Sequence, residues 1–185
     1  MLIGSLGFTF ASLVVFSTVA FGENWMYMNL GEVGSYFAWG AMFVVLGGIL
    51  LSPLLRGPRR LVRFLPAFAL SFFGYVVGWY AGYMAEGGRA GEWFGAILGC
   101  LFFTAGIAAT FRIKSYRDLF QIFRLVFLLN AAGYFLGGML HSTIRGRVGM
   151  LFWGLVYGLF FGAGIGAAVY LAQKETQASP NKLVT

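Results

Sequence analysis

The chain has 185 residues, of which 59% are hydrophobic and only 10% charged, with a mean hydropathy of +0.81 and 28 glycines. A soluble domain of this size needs a surface of roughly 25–35% Lys, Arg, Glu and Asp, so this composition excludes one. The formal charge of +7 comes from basic residues placed between apolar segments, which is a membrane-topology pattern and gives no reason to expect a nucleic-acid partner.

In chain order the apolar runs cover 2–22, 36–55, 64–84, 93–111, 120–141 and 148–172. Each is close to the ~20 residues that cross a ~30 Å hydrocarbon layer. None alternates with period 2, so helices are the structures that satisfy the backbone in lipid. The expected fold is an all-α integral membrane protein with six transmembrane helices in residues 1–172 and a polar cytoplasmic tail in 173–185. Ala20 and Gly22 are spaced like the small residues of a signal-peptide cleavage site, but no Lys or Arg precedes the first run, so it counts as a span.

Basic residues orient the bundle. With the N-terminus inside, Arg56, Arg59, Arg60, Arg63, Arg112, Lys114, Arg117, Arg124, Lys174 and Lys182 face the cytoplasm, and only Arg89, Arg145 and Arg147 face out. That asymmetry predicts cytoplasmic termini; the expected location is a bacterial inner (plasma) membrane. Arg56, Arg59, Arg60, Arg63, Arg112, Lys114 and Arg117 are also candidates for contact with anionic lipid or an acidic partner. All five tryptophans fall toward the outer side. There the polar stretch 23–35, ENWMYMNLGEVGS, is expected to form the longest outer loop.

Glycines recur at every fourth position, which places them on one face of a helix. Span three has Gly74, Gly78 and Gly82; span four has Gly91, Gly95 and Gly99; span five has Gly133 and Gly137; span six has Gly154, Gly158, Gly162 and Gly166. Such bare faces admit close backbone approach, the main source of helix association in lipid. Equal depth in antiparallel hairpins pairs 74 with 99, 78 with 95 and 82 with 91, and likewise 133 with 158 and 137 with 154. Gly4, Gly7, Ala11 and the span-six series are the candidates for a ridge that docks another subunit. Gly74-Tyr75-x-x-Gly78 recurs as Gly133-Tyr134-x-x-Gly137, and Phe102-Phe103-x-Ala105-Gly106-Ile107 as Phe160-Phe161-x-Ala163-Gly164-Ile165, displaced by 59 and 58 residues. Three similar helical hairpins are expected.

Little chemistry is on offer. No carboxylate, histidine or basic side chain falls at mid-span, where pumps and proton relays carry theirs. Asn130 is the strongest polar side chain at that depth. One cysteine, Cys100, and one histidine, His141, leave no intrachain metal site to expect. Trp25, Tyr27, Glu32, Trp39, Trp79, Trp93, Asn130 and His141 are candidate ligand-binding residues, because aromatic faces beside carboxylates hold organic cations or heterocycles. The leading expectation is a non-enzymatic subunit that packs through glycine-rich faces into a larger assembly, with other membrane proteins or copies of itself, and holds lipid, quinone or pigment. The alternative is a transport protein that binds an organic cation or heterocycle at an outer aromatic and acidic site.

Overall fold

The computed structural model describes residues 1–178, with side chains through Lys174. Among these residues the chain is helical, without strands: α1 (Leu2–Leu51), a 3-10 turn (Ser52–Leu54), α2 (Arg60–Glu86), α3 (Gly88–Phe111), α4 (Tyr116–Ile144) and α5 (Gly146–Ala178). All five α-helices are long and apolar enough to cross a membrane. They overrun the apolar runs by several residues, since polar side chains at the bilayer surface do not interrupt backbone hydrogen bonding. For this reason α5 carries the start of the expected tail, while 179–185, including Lys182, lie outside the described residues.

The largest departure from the sequence reading is the expected outer loop at 23–35. It is helical except at Gly31, whose φ of 68° and ψ of 177° break α1 into two arms. No proline interrupts the stretch, and Asn29 and Ser35 hydrogen-bond to the carbonyls of Trp25 and Gly31, each at 2.7 Å. Polarity here marks contact with water, not loss of helix. Beyond Gly31 the chain returns along itself: Phe8 stacks on Phe43 at 5.5 Å, and a Cβ on Gly7 would lie 3.1 Å from the Leu50 carbonyl oxygen.

The same backbone conformation recurs at two further reversals. Gly87, at φ 66° and ψ 170°, joins α2 to α3, and Arg145, at φ 58° and ψ 168°, joins α4 to α5. Their N–H groups donate to the carbonyls of Tyr83 at 2.8 Å and His141 at 2.7 Å. Positions 31, 87 and 145 match the sequence period near 58. This region of backbone space belongs to glycine, and a side chain there is strained by of order 1–3 kcal/mol.

Two faces of α2 organise the interior. Phe64, Phe68 and Phe72 form a ladder four residues apart, with rings 5.6 and 5.4 Å from one another. Phe8 of α1 and Phe161 of α5 pack against it, with Cys100 and Phe103 of α3 and Val126 of α4 completing the core. The other face of α2 carries the glycines and meets α3. A Cβ on Gly82 would lie 2.6 Å from the Gly95 nitrogen, one on Gly95 2.6 Å from the Trp79 carbonyl oxygen, and one on Gly91 2.7 Å from that of Tyr83. The two ridges interleave instead of meeting glycine to glycine at 74/99, 78/95 and 82/91.

The expected pairing of the last hairpin shifts by one residue. Gly133 lies against Tyr157 and Gly137 against Trp153, not against Gly158 and Gly154. The α5 ridge turns instead toward α1: Gly154 meets Phe16, Gly158 meets Thr9 and Ser12, and Gly162 and Gly166 meet Gly4. A step of one residue rotates a helix face by 100°, so α5 gives its aromatic edge to α4 and its bare edge to α1. Within the single chain, Gly4, Ala11 and the α5 series are therefore already covered, Gly4 and Ala11 being buried.

Candidate functional site

The interior polar residues are few. Among the described residues Thr9, Ser12, Ser35, Ser52, Ser71, Thr104 and Asn130 are buried, and no charged side chain is. Most of the hydroxyls satisfy themselves locally: Ser71 donates to the Ala67 carbonyl at 2.9 Å and Thr104 to that of Cys100 at 2.8 Å. Asn130 is different, because its partners lie on other helices. Tyr75 of α2 donates to Asn130 Oδ1 at 3.0 Å, and Tyr157 of α5 donates to the Tyr75 hydroxyl at 3.3 Å. This chain ties α2, α4 and α5 together in the core, with Asn130 Nδ2 left without a hydrogen-bond acceptor.

The remaining ligand candidates do not form one pocket. Trp39 is buried beside Tyr27 at 5.8 Å and Tyr36 at 5.6 Å, next to Met26 and Val15. Trp79 stacks on Tyr83 at 5.2 Å and meets Tyr134 at 6.0 Å. Trp93 stacks on Phe135 at 4.1 Å, while Trp25 and Glu32 are exposed. His141 stacks on Trp153 at 5.6 Å, and its Nδ1 is buried without a partner. Neighbouring Ser142 donates to the Met139 carbonyl, so the two do not form a nucleophile–base pair.

What joins these helices is a run of rings. Phe16 of α1, Trp153 of α5, Tyr134 of α4 and Trp79 of α2 follow one another at 5.8, 5.4 and 6.0 Å. Contacts of this kind contribute about 0.5–1.5 kcal/mol each beyond area burial. Tyr134, Tyr75 and Phe16 were not among the candidates. The signal for two of them is the repeated Gly-Tyr-x-x-Gly unit, whose tyrosines both enter interhelical networks.

At the basic end the candidates separate into two groups. Arg59, Arg60, Lys114 and Arg117 are exposed on the surface. Arg63 and Arg112, also exposed, line a cleft of ≈ 350 Å³ together with Leu55, Ala67, Thr110 and Phe111. A smaller hollow of ≈ 110 Å³ is bordered by Arg56, Tyr170, Gln173 and Lys174. The segment between the two is held by Gln173, whose Nε2 donates to the Leu54 carbonyl at 2.9 Å and whose Oε1 accepts from the Arg56 N–H at 3.2 Å.

Comparison with protein-family models, with curated proteins and with solved structures finds no match to this chain. The fold points to the class of multi-pass helical membrane proteins: among the described residues, five helices are long and apolar enough to cross a membrane.

Proposed function

We propose that the protein is a non-enzymatic integral subunit: a rigid, glycine-packed scaffold that assembles with other membrane proteins or with copies of itself in a bacterial inner membrane. In this reading the chain crosses six times, because α1 turns back at Gly31 and each of its arms has the length of one crossing. Both termini are cytoplasmic, following the basic residues. The observation that carries the reading is the interior, where aromatic and bare-backbone surfaces are closed on one another around a single three-residue polar chain. Machinery that moves ions or protons keeps carboxylate, histidine or basic side chains in such places, and among the described residues none of these is buried.

Since the ridges are consumed inside the chain, partners would meet its lipid-facing aliphatic and aromatic side chains. Lipid, quinone or pigment would lie between those surfaces and a neighbour. Extraction in mild detergent followed by mass measurement tests this. The expected result is a particle of defined stoichiometry, with partner chains or a bound lipophile; a monodisperse monomer carrying neither overturns the proposal.

A further inference from the structure

We propose that the cleft between α2 and α3 at the basic end is a binding site for the phosphate-bearing headgroup of an anionic glycerophospholipid, with Arg63 and Arg112 as its ligands. This rests on the membrane reading above and assigns one site within it. Three features of the cleft support it. Its lining contains two arginines, Arg63 of α2 and Arg112 at the end of α3, and no Asp or Glu. Its walls also include Leu55 and Ala67, both buried apolar residues, so it offers oil and charge together as an amphiphile requires. The Thr110 hydroxyl proton is engaged with the Gly106 carbonyl at 2.9 Å, which leaves the two arginines as the side-chain donors of the cleft.

The two arginines are also placed, not merely present. Arg112 caps α3 in the left-handed conformation, at φ 55° and ψ 41°, with its N–H side of the helix end fixed to the Ala108 carbonyl. Arg63 lies in the first turn of α2, and its Nη1 is 3.9 Å from where a Cβ on Gly57 would sit, which folds its head toward the connecting loop. Gln173 holds the Leu54–Arg56 segment that forms the adjoining wall. Both arginines thus stand at the ends of helices of spanning length, where the membrane reading puts lipid phosphates, and a planar guanidinium binds phosphate through two parallel hydrogen bonds. An acidic peptide would match the charge but leave the apolar wall unused.

The test uses the purified full chain in detergent, titrated with phosphatidylglycerol, phosphatidylcholine, inorganic phosphate or a polyglutamate peptide and read by native mass spectrometry. Salt is high enough to screen general surface attraction. Phosphatidylglycerol is expected to bind at least roughly tenfold more tightly than the other three, and Arg63→Gln or Arg112→Gln each to weaken it roughly tenfold. Arg59→Gln and Arg117→Gln remove the same charge outside the cleft and are expected to change it by less than about twofold. Arg112→Gly, which removes the side chain and suits the backbone, serves if Arg112→Gln does not fold. Equal losses in the cleft and control variants, no preference over phosphatidylcholine, or equal binding of phosphate or peptide would each overturn the inference. Because binding is scored on the isolated chain, failure here leaves the scaffold reading standing, and absence of partner subunits leaves this one standing.

Discussion

Arg145 holds a backbone conformation that its two counterparts, at Gly31 and Gly87, assign to glycine. Arg145→Gly is therefore expected to stabilise the protein by about 1 kcal/mol or more, raising the detergent melting temperature by roughly 2–4 °C per kcal/mol for a chain this long. Arg145→Ala, which keeps the Cβ, should not; equal melting of the two variants would contradict the argument. Tyr75 is the middle member of the buried polar chain. Tyr75→Phe is expected to cost about 1 kcal/mol, and combining it with Asn130→Leu to cost less than the two changes added, because each alone strands the other's polar atom. Asn130 was legible in the sequence as the one amide at mid-span. Its partners were not, since which hydroxyls reach it depends on the rotation of α2 and α5 about their own axes.

At the level of helices, spacing by four made the glycine faces legible, but not what each one meets. The pairing of α2 with α3 follows from the short turn at Gly87. The partner of the α5 ridge does not follow from any local signal, because α1 is remote in sequence and only the finished bundle brings it there. This contact gives a sharp substitution test. Gly158→Leu drives a side chain into Thr9, whose Cα would lie 2.5 Å from the new Cβ, and Gly82→Ala drives one into the Gly95 backbone at 2.6 Å. Both should lower the melting temperature, Gly158→Leu by several degrees. At Gly40 a Cβ finds nothing nearer than Val76 Cγ2 at 4.0 Å, so Gly40→Ala should be neutral or better by up to about 1 kcal/mol, from helix propensity alone. If Gly40→Ala and Gly82→Ala behave alike, close packing is not what holds these helices.

For the molecule as a whole, composition and run length were sufficient to read an all-helical membrane protein, because both reflect a global solvent requirement. The division of α1 was harder to read: its polar centre looked like a loop, and only the conformation of Gly31 shows where the reversal lies. The proposed six-crossing topology predicts a labelling pattern in intact cells. Cys100 is buried, so single cysteines introduced at exposed Glu32, Arg89 and Arg147 should react with an impermeant maleimide from outside, and those at Arg59 and Lys114 only after lysis. Protection of Glu32 together with labelling of Arg59 would invert the orientation and move the lipid cleft to the other leaflet.

The seam between α1 and α5 bears on how the protein is made. Gly4 finds its mate at Gly162 and Gly166, so during synthesis α1 waits for α5. At about 5–20 residues per second that delay is roughly 10–30 s. During that time, in the proposed topology, the two arms of α1 stand with a naked flank. Any factor that shields nascent helices, or any protease that removes unfinished ones, acts within that interval, and a message cut short after α4 would yield a product with no way to close.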